Sequence, residues 1–339
     1  MTRCSAMKGV KQLLALSLLC LPLSSYALNE IEDITPEQAF EKGRVLRLQY
    51  HNEQALEYLK HAADSGHSMA ALLYADELAT LPHAVRRQEE IIHYTLQAAE
   101  SGNIWAMERL ANTNRSGSEE SRVKWQQRFL TSLEQEAENG NTKAILTMFY
   151  LKRDEKYKQA KIWLTKALEQ ESERAKLAEV ELVEQGYEEW FVLPGNRMKE
   201  SKQRYAELAE TGYLPAVKKT IQLLIETDKT HQAVVWLEEA VRMGDATSLA
   251  LLAKAYAGNY PKTRVEKNLV KSYSYYLNYL DAMGSDRLIG TRKRIEKEEQ
   301  AVKEQLTETQ IADAEKLHQE YKKNHTVMLF ETPWKYEMN

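Results

Sequence analysis

The stretch LKHAADSGHSMAALLYADEL, from Leu59 to Leu78, carries a kernel that the chain writes again and again: two small residues, an acid, one free position, a glycine, then an alanine four residues on. Further copies read LQAAESGNIWAMERL, EQEAENGNTKAILTM and AELAETGYLPAVKKT. Aligned on the glycine, the copies fall at Gly66, Gly102, Gly140, Gly212, Gly244 and Gly284, and Glu171 fills the one gap in "ALEQESERA". The steps are 36, 38, 31, 41, 32 and 40 residues. A period in this range is the mark of a solenoid built from helical hairpins.

The columns of the alignment explain the hairpin. Four residues after the glycine stand Ala70, Ala106, Ala144, Ala175 and Ala216, with Ser248 and Leu288 in the last two copies. Eight residues before it stand Tyr58, Tyr94, Trp163, Trp236 and Tyr276, with Ser132 and Arg204 as exceptions, and four before it stand Ala62, Ala98, Ala167 and Ala240. Positions −8 and −4 lie one turn apart on one helix face. The glycine then ends the helix in the left-handed conformation that a C-cap needs. A ring on one helix set into an alanine notch on the next lets the two approach without a void.

This pattern resembles the Sel1-like repeat, a relative of the tetratricopeptide repeat, over roughly residues 39–288. The resemblance implies an all-α, right-handed solenoid of about seven helix pairs followed by C-terminal capping helices. Some copies depart from it: the fourth lacks the glycine, the third and fifth lack the aromatic, and the seventh runs on into LIGTRKRIEKEEQ. Exported members of that family act as adaptors in envelope assemblies, in flagellar motors, in polysaccharide export or at host-cell contact.

Composition agrees with an all-helical chain. Glycine and proline number only 13 and 7 in 339 residues, and Ala, Leu, Glu, Lys and Gln are strong helix formers. The N-terminus has a basic region (Arg3, Lys8, Lys11), the apolar run LLALSLLCLPL, and small residues Ser25 and Ala27 ahead of Leu28. That is the form of a secretory signal peptide over residues 1–27, cleaved after Ala27. Lipidation at Cys20 would want a small residue where Leu19 stands. Both cysteines, Cys4 and Cys20, lie in this leader, so the mature chain is expected to have no disulfide and no thiolate chemistry. Without the leader, 43 basic residues face 50 acidic ones, which argues against nucleic acid or an anionic membrane as partner. The expected organisation is a leader at 1–27, the solenoid at 28–286, and a helical cap and tail at 287–339.

Thr35, Pro36 and Gln38 predict a capping box that opens the first helix. Thr307 and Gln310 predict another, which splits the charged C-terminal segment into two helices. A stripe of Ile295, Val302, Leu306, Leu317 and Tyr321 faces the array there, and the polar remainder suits a terminal cap. The tail HTVMLFETPWKYEMN is apolar again and is expected to dock back on the array, the alternative being another chain.

A second interruption, EQGYEEWFVLPGNRMK at 184–199, holds Gly186, Pro194 and Gly195 and cannot be one helix. Trp190 and Phe191 there, and Trp334 in the tail, fall outside the packing columns. They are the candidate partner-binding residues, since Trp and flanking apolar side chains anchor interfaces. The competing reading tucks the loop against its own solenoid.

No nucleotide loop, HExxH or GxSxG motif occurs. His61 and His67 straddle a helix end and read as solvated surface residues rather than metal ligands. The tyrosines of KSYSYYLNYL read as core. The expected protein is a non-catalytic interaction scaffold of the bacterial envelope, periplasmic or secreted, with no cofactor or metal. Its expected partners are other envelope or secreted proteins, with no nucleic acid and no stable membrane insertion. The alternative is a glycan-binding or glycan-processing protein with its site in the concave groove, which would need converging carboxylates and aromatics.

Overall fold

The computed structural model describes residues 31, 34–82, 84–187, 193–260, 263, 265–287, 289–331 and 334–336. The expected leader at residues 1–27, and Leu288, Trp190 and Phe191, lie outside them. Sixteen α-helices follow one another, and no strand occurs among the described residues. A leading helix, α1 (Pro36–Leu48), opens the array. Seven pairs follow. The first four are α2 (Asn52–Asp64) with α3 (Ser68–Leu78), α4 (Gln88–Glu100) with α5 (Ile104–Asn112), α6 (Glu119–Glu138) with α7 (Thr142–Arg153), and α8 (Tyr157–Glu169) with α9 (Glu173–Gln185). The last three are α10 (Pro194–Glu210) with α11 (Leu214–Glu226), α12 (Thr230–Arg242) with α13 (Ala246–Tyr256), and α14 (Leu269–Ala282) with α15 (Ile289–Lys303). The helix α16 (Glu308–Asn324) ends the array. Each kernel is the joint inside one pair.

The joint works by two caps in series. Gly66, Gly102, Gly140, Gly212 and Gly244 close the first helix with φ between +84° and +94°. Glu171 holds the same left-handed conformation at φ +57°, where a side chain costs about 1–2 kcal/mol. The next residue then opens the second helix. His67, Asn103, Asn141, Ser172 and Asp245 each accept, through the side chain, the N–H of the residue three positions on: Ala70, Ala106, Ala144, Ala175 and Ser248. A cap of this kind contributes about 1 kcal/mol. The fifth copy has Tyr213 here, makes no side-chain cap, and places Pro215 in the first turn instead.

The alanines of columns −4 and +4 are fully buried in every copy that has them. Tyr58, Tyr94 and Tyr276 are buried beside them. Trp163 and Trp236, the largest rings of the column, are only half-buried, and the Lys166 ammonium sits 4.4 Å over the Trp163 ring. The indole is too large for the alanine notch and leaves part of its surface at solvent. The core falls into two clusters that divide within α9. Ala175, Ala178 and Leu182 belong to the first, and Leu177 and Val180 to the second.

Both predicted capping boxes are present, at Thr35–Gln38 and Thr307–Gln310. α15 and α16 both pack on α14, where Tyr273, Tyr276 and Tyr279 are buried. On α16 the inward residues are Ala314 and His318, while Leu317 is exposed. The rest of the predicted stripe faces the core: Ile295 and Val302 are buried, Leu306 and Tyr321 pack against the same cluster, and His318 takes the inward place beside Leu317, its Nδ1 meeting Asn278 Oδ1 of α14 at 2.7 Å.

The array closes on itself. The Gly284 N–H donates to the Gln49 carbonyl at 2.6 Å, and the Asp286 N–H donates to the Tyr50 carbonyl at 3.2 Å. Returning the contact, the Glu53 N–H donates to Asp286 Oδ2 at 3.1 Å, and His51 Nε2 donates to the Ala282 carbonyl at 3.0 Å. The seventh joint therefore rests on the α1–α2 turn. Second helices of the pairs lie deep in the array: α3 buries Ala70 to Ala75 and Leu78, and α7 buries Ala144 to Phe149. A helix apolar on every side must be covered on every side.

Candidate functional site

The chain from His325 to Tyr336 runs across the ring. Twelve extended residues reach at most about 40 Å, yet this segment touches the α12–α13 joint, α1, α5, α7 and α9. One short strap meets elements so far apart in sequence only from the inside of a curved array, so these contacts define the inner face.

The strap is held first by main chain. The Met328 N–H donates to the Gly244 carbonyl at 3.0 Å, and the Ala246 N–H donates to the Met328 carbonyl at 3.1 Å, a parallel bridge across Asp245. Gly244 is required twice here: its φ is +84°, and a Cβ would overlap the Thr326 carbonyl. Asp245 is buried, caps α13 and pairs with Lys218 Nζ at 3.1 Å. On the other side the Leu329 N–H donates to the Leu48 carbonyl at 3.1 Å, and Gln49 Nε2 donates to the Val327 carbonyl at 2.7 Å. The tail thereby bridges the sixth repeat to the leading helix.

Charge holds it next. Glu331 is buried and pairs with Arg47 and, at 3.3 Å, with Arg44. Arg47 also meets Glu77 of α3 at 3.5 Å. Glu77, 1% exposed, accepts from Arg287 Nη2 at 2.9 Å on both oxygens and from Asn52 Nδ2. Burial pushes the Glu77 carboxyl up and the Arg47 guanidinium down from their ordinary pKa values, and their mutual pairing opposes both shifts. This knot ties α1, α2, α3, the seventh joint and the tail at one point.

Aromatic contacts hold the end. The half-buried Trp334 ring lies 5.8 Å from Tyr150 of α7, with the Arg174 guanidinium of α9 5.2 Å over it. Lys335 Nζ donates to both Glu108 oxygens, at 2.7 and 2.9 Å, and sits 5.2 Å over the Trp105 ring of α5. The Tyr150 hydroxyl is pushed up to about 12 by burial and by Glu181, so it serves as a neutral donor to Glu181 at 3.3 Å.

Of the three candidate partner residues, Trp334 therefore lies on the inner face, and Trp190 and Phe191 lie outside the described residues. Their flank is described on both sides. Tyr187 stacks on Tyr157 at 5.2 Å and donates to Asp154 at 2.8 Å, while Leu193 is 71% exposed. His67 is no free surface residue: it caps α3 and stacks on Phe40 at 4.2 Å. Sequence reasoning missed Arg44, Arg47, Glu77 and Asp245. Glu77 did carry a signal, an acid inside the otherwise apolar helix SMAALLYADEL. Among the described residues no group of three or more His, Cys, Asp or Glu is placed to hold a metal, and no helix is long and apolar enough to cross a membrane.

No family model matches the chain, and no curated protein matches it. One similar solved structure is a protective antigen present in uropathogenic Escherichia coli strains that displays a Sel1-like repeat fold. It has 18% identity and a TM-score of 0.42, over 89% of this chain and 64% of that one, so this chain spans less than two thirds of its length. A second is a Sel1 repeat protein from Oxalobacter formigenes, with 21% identity and a TM-score of 0.36, over 70% of this chain and 94% of that one. Both of these solved structures are Sel1-like repeat proteins, and the seven helix pairs among its described residues make this chain an all-α helical repeat.

Proposed function

We propose that this chain is a non-catalytic scaffold whose inner face takes an extended segment of a partner protein, in the track that its own tail fills. The tail is the observation that supports this reading. The track gives an extended peptide main-chain bonds at Gly244 and Ala246, a cationic pair at Arg44 and Arg47 for an acidic side chain, and a Tyr150–Arg174 seat for an aromatic one. Main chain supplies affinity and side-chain seats supply selectivity in this mode of recognition. A space of about 190 Å³ beside the tail, lined by Leu48, Leu214, Met243 and Phe330, leaves room for a bulkier occupant. The glycan reading gains no support from the inner rings, since Trp105, Tyr150 and Trp334 are engaged with the tail and its seat.

The leader-like N-terminus and the lack of cysteine after Cys20 support export to the periplasm or beyond, with envelope or secreted proteins as partners. Trp334 holds the tail in place until a partner displaces it, and Trp190 with Phe191 forms a second contact. The test is recovery of partners from envelope extract by the tagged chain, by a tail-loosened form (Glu331→Gln with Trp334→Ala), and by Trp190→Ala with Phe191→Ala. The loosened form should recover about ten-fold more of the same partner and the loop variant about ten-fold less. Recovery that loosening the tail leaves unchanged would remove the inner face from the proposal.

A further inference from the structure

The helices α8, α10, α12 and α14 leave three clefts between neighbours, none lined by a residue of the tail. The α8/α10 cleft is small, about 180 Å³, and its Arg204 pairs with Glu179 at 3.7 Å. The α12/α14 cleft is larger, about 460 Å³, and its charges are mixed: Lys271 lies 3.7 Å from Glu238, and Glu266 lines it as well. The α10/α12 cleft is the largest, about 500 Å³, and all of its charged lining residues are lysines. Lys199 and Lys202 stand one turn apart on α10, and Lys229 caps the opposite wall where α12 begins. None of the three has an ion-pair partner among the described residues. The N-terminal end of α12 adds its own positive potential beside Lys229.

The floor of this cleft is apolar. Leu223 and Leu224 of α11 lie between Thr220 and Thr227, positions that recur along one helix face. Ala206 closes one wall. Val235, 56% exposed, and the half-buried Trp236 close the other. The Thr220 hydroxyl, at the base, is buried without a hydrogen-bond partner. From Thr220 to Thr227 the floor is about 10 Å long, two turns of an α-helix. Trp236, like Trp163, is a ring that the repeat's own notch fails to cover, and it lines this cleft.

We propose that the α10/α12 cleft is a docking site for an acidic amphipathic helix of a partner protein. Apolar residues at i, i+3/i+4 and i+7 of that helix meet Leu223, Leu224, Val235 and Trp236, and flanking carboxylates meet Lys199, Lys202 and Lys229. This is helix-in-groove recognition with charge complementarity at the rim. The cleft shares no lining residue with the space beside the tail, so this proposal does not depend on the tail track.

The probe is a labelled helical peptide about four turns long, with leucines on one face and glutamates on the other, added to the full chain at low salt. Binding should raise its anisotropy and shift the fluorescence of Trp236, a shift that disappears in Trp236→Phe. Joint replacement Lys199→Glu, Lys202→Glu and Lys229→Glu should weaken binding about ten-fold or more, and Val235→Glu should abolish it, with unchanged helix content in both. Equal binding to the charge-reversed chain overturns the proposal. So does a heparin fragment that displaces the peptide and is insensitive to Val235→Glu, because the site would then be one for anionic glycan. A peptide with the same leucines and lysines in place of glutamate should not bind, and its binding would likewise overturn the proposal.

Discussion

At the first joint Gly66 holds φ +94° with nothing within 4 Å of where its Cβ would stand, and His67 beside it opens α3. At the seventh joint Gly284 occupies the same place in the kernel, but its φ is outside the left-handed region and Met283 before it is extended. A Cβ on Gly284 would overlap the Tyr50 carbonyl and come within 2.8 Å of His51 Nδ1. One glycine is needed for the angle it permits and the other for the space it leaves. Where nothing else approaches, the kernel makes a helical joint. Where the other end of the chain arrives, long-range packing reassigns the same letters to a seam. The two joints meet through the knot: Glu77 lies on the helix that follows Gly66, and Arg287 lies three residues after Gly284.

Cutting that tie is expected to have the largest effect. Glu77→Ala leaves Arg47 buried beside Glu331 alone and removes both bonds to Arg287. Breaking one side of a buried ion pair costs about 3–5 kcal/mol. Urea melts should show a loss of that size, and hydrogen exchange at the Gly284 amide should speed up before exchange in α5 does. A loss below about 1 kcal/mol would mean that the ring is closed by main chain alone.

The two glycines give the next contrast. Gly66→Ala suffers only the strain of a left-handed side chain, about 1 kcal/mol. Gly284→Ala must displace the Tyr50 carbonyl, which also receives the Asp286 N–H, and should cost about 2–3 kcal/mol, as overpacked sites do. Small-angle scattering should show the Gly284 variant expanded and the Gly66 variant unchanged. The reverse order would show a loose seam and a tight joint.

The kernel spacing made the seven helix pairs legible, as the letters around Thr35 and Thr307 did the two capping boxes, because each rests on contacts within four residues along the chain. The inner-face track was not legible beyond the expectation that the tail docks somewhere. Its bonds join Met328 to Gly244 and Ala246 through main chain, which has no side-chain signature. The seam was hidden for a related reason: Gly284 reads as one more cap glycine. The cap position after the glycine was legible and overlooked, since His, Asn, Ser and Asp there share an acceptor that reaches the same N–H.

Glu171 offers a gain rather than a loss. It keeps the joint's left-handed angle without glycine, and its side chain is exposed. Glu171→Gly should relieve the strain, less the entropy that glycine adds to the unfolded chain, for a net gain of up to about 1 kcal/mol. A thermal melt that moves downward would show that this joint, alone among the first six, is stabilised by what glutamate supplies.

The smallest effect separates the first joint from its neighbours by pH. His67 performs the task of Asn103 and Asn141, but through Nδ1 accepting the Ala70 N–H, which only the neutral imidazole can do. Burial against Phe40 lowers its pKa from the ordinary 6.5, although Glu37 and Glu41 pull the other way. A base with a lowered folded pKa binds its proton more readily in the unfolded chain, so its contribution is complete above 6.5 and is lost as pH falls through the folded value. His318 is lowered by burial as well and has the same sign. Stability should therefore decline from about pH 7.5 to about pH 5. His67→Asn should keep the cap while removing its share of the decline, and His67→Asn with His318→Gln should flatten it further. An unchanged slope in the single variant would mean that losing the bond from the Ala70 N–H to His67 costs the fold nothing, and the first joint would then resemble its asparagine neighbours at every pH.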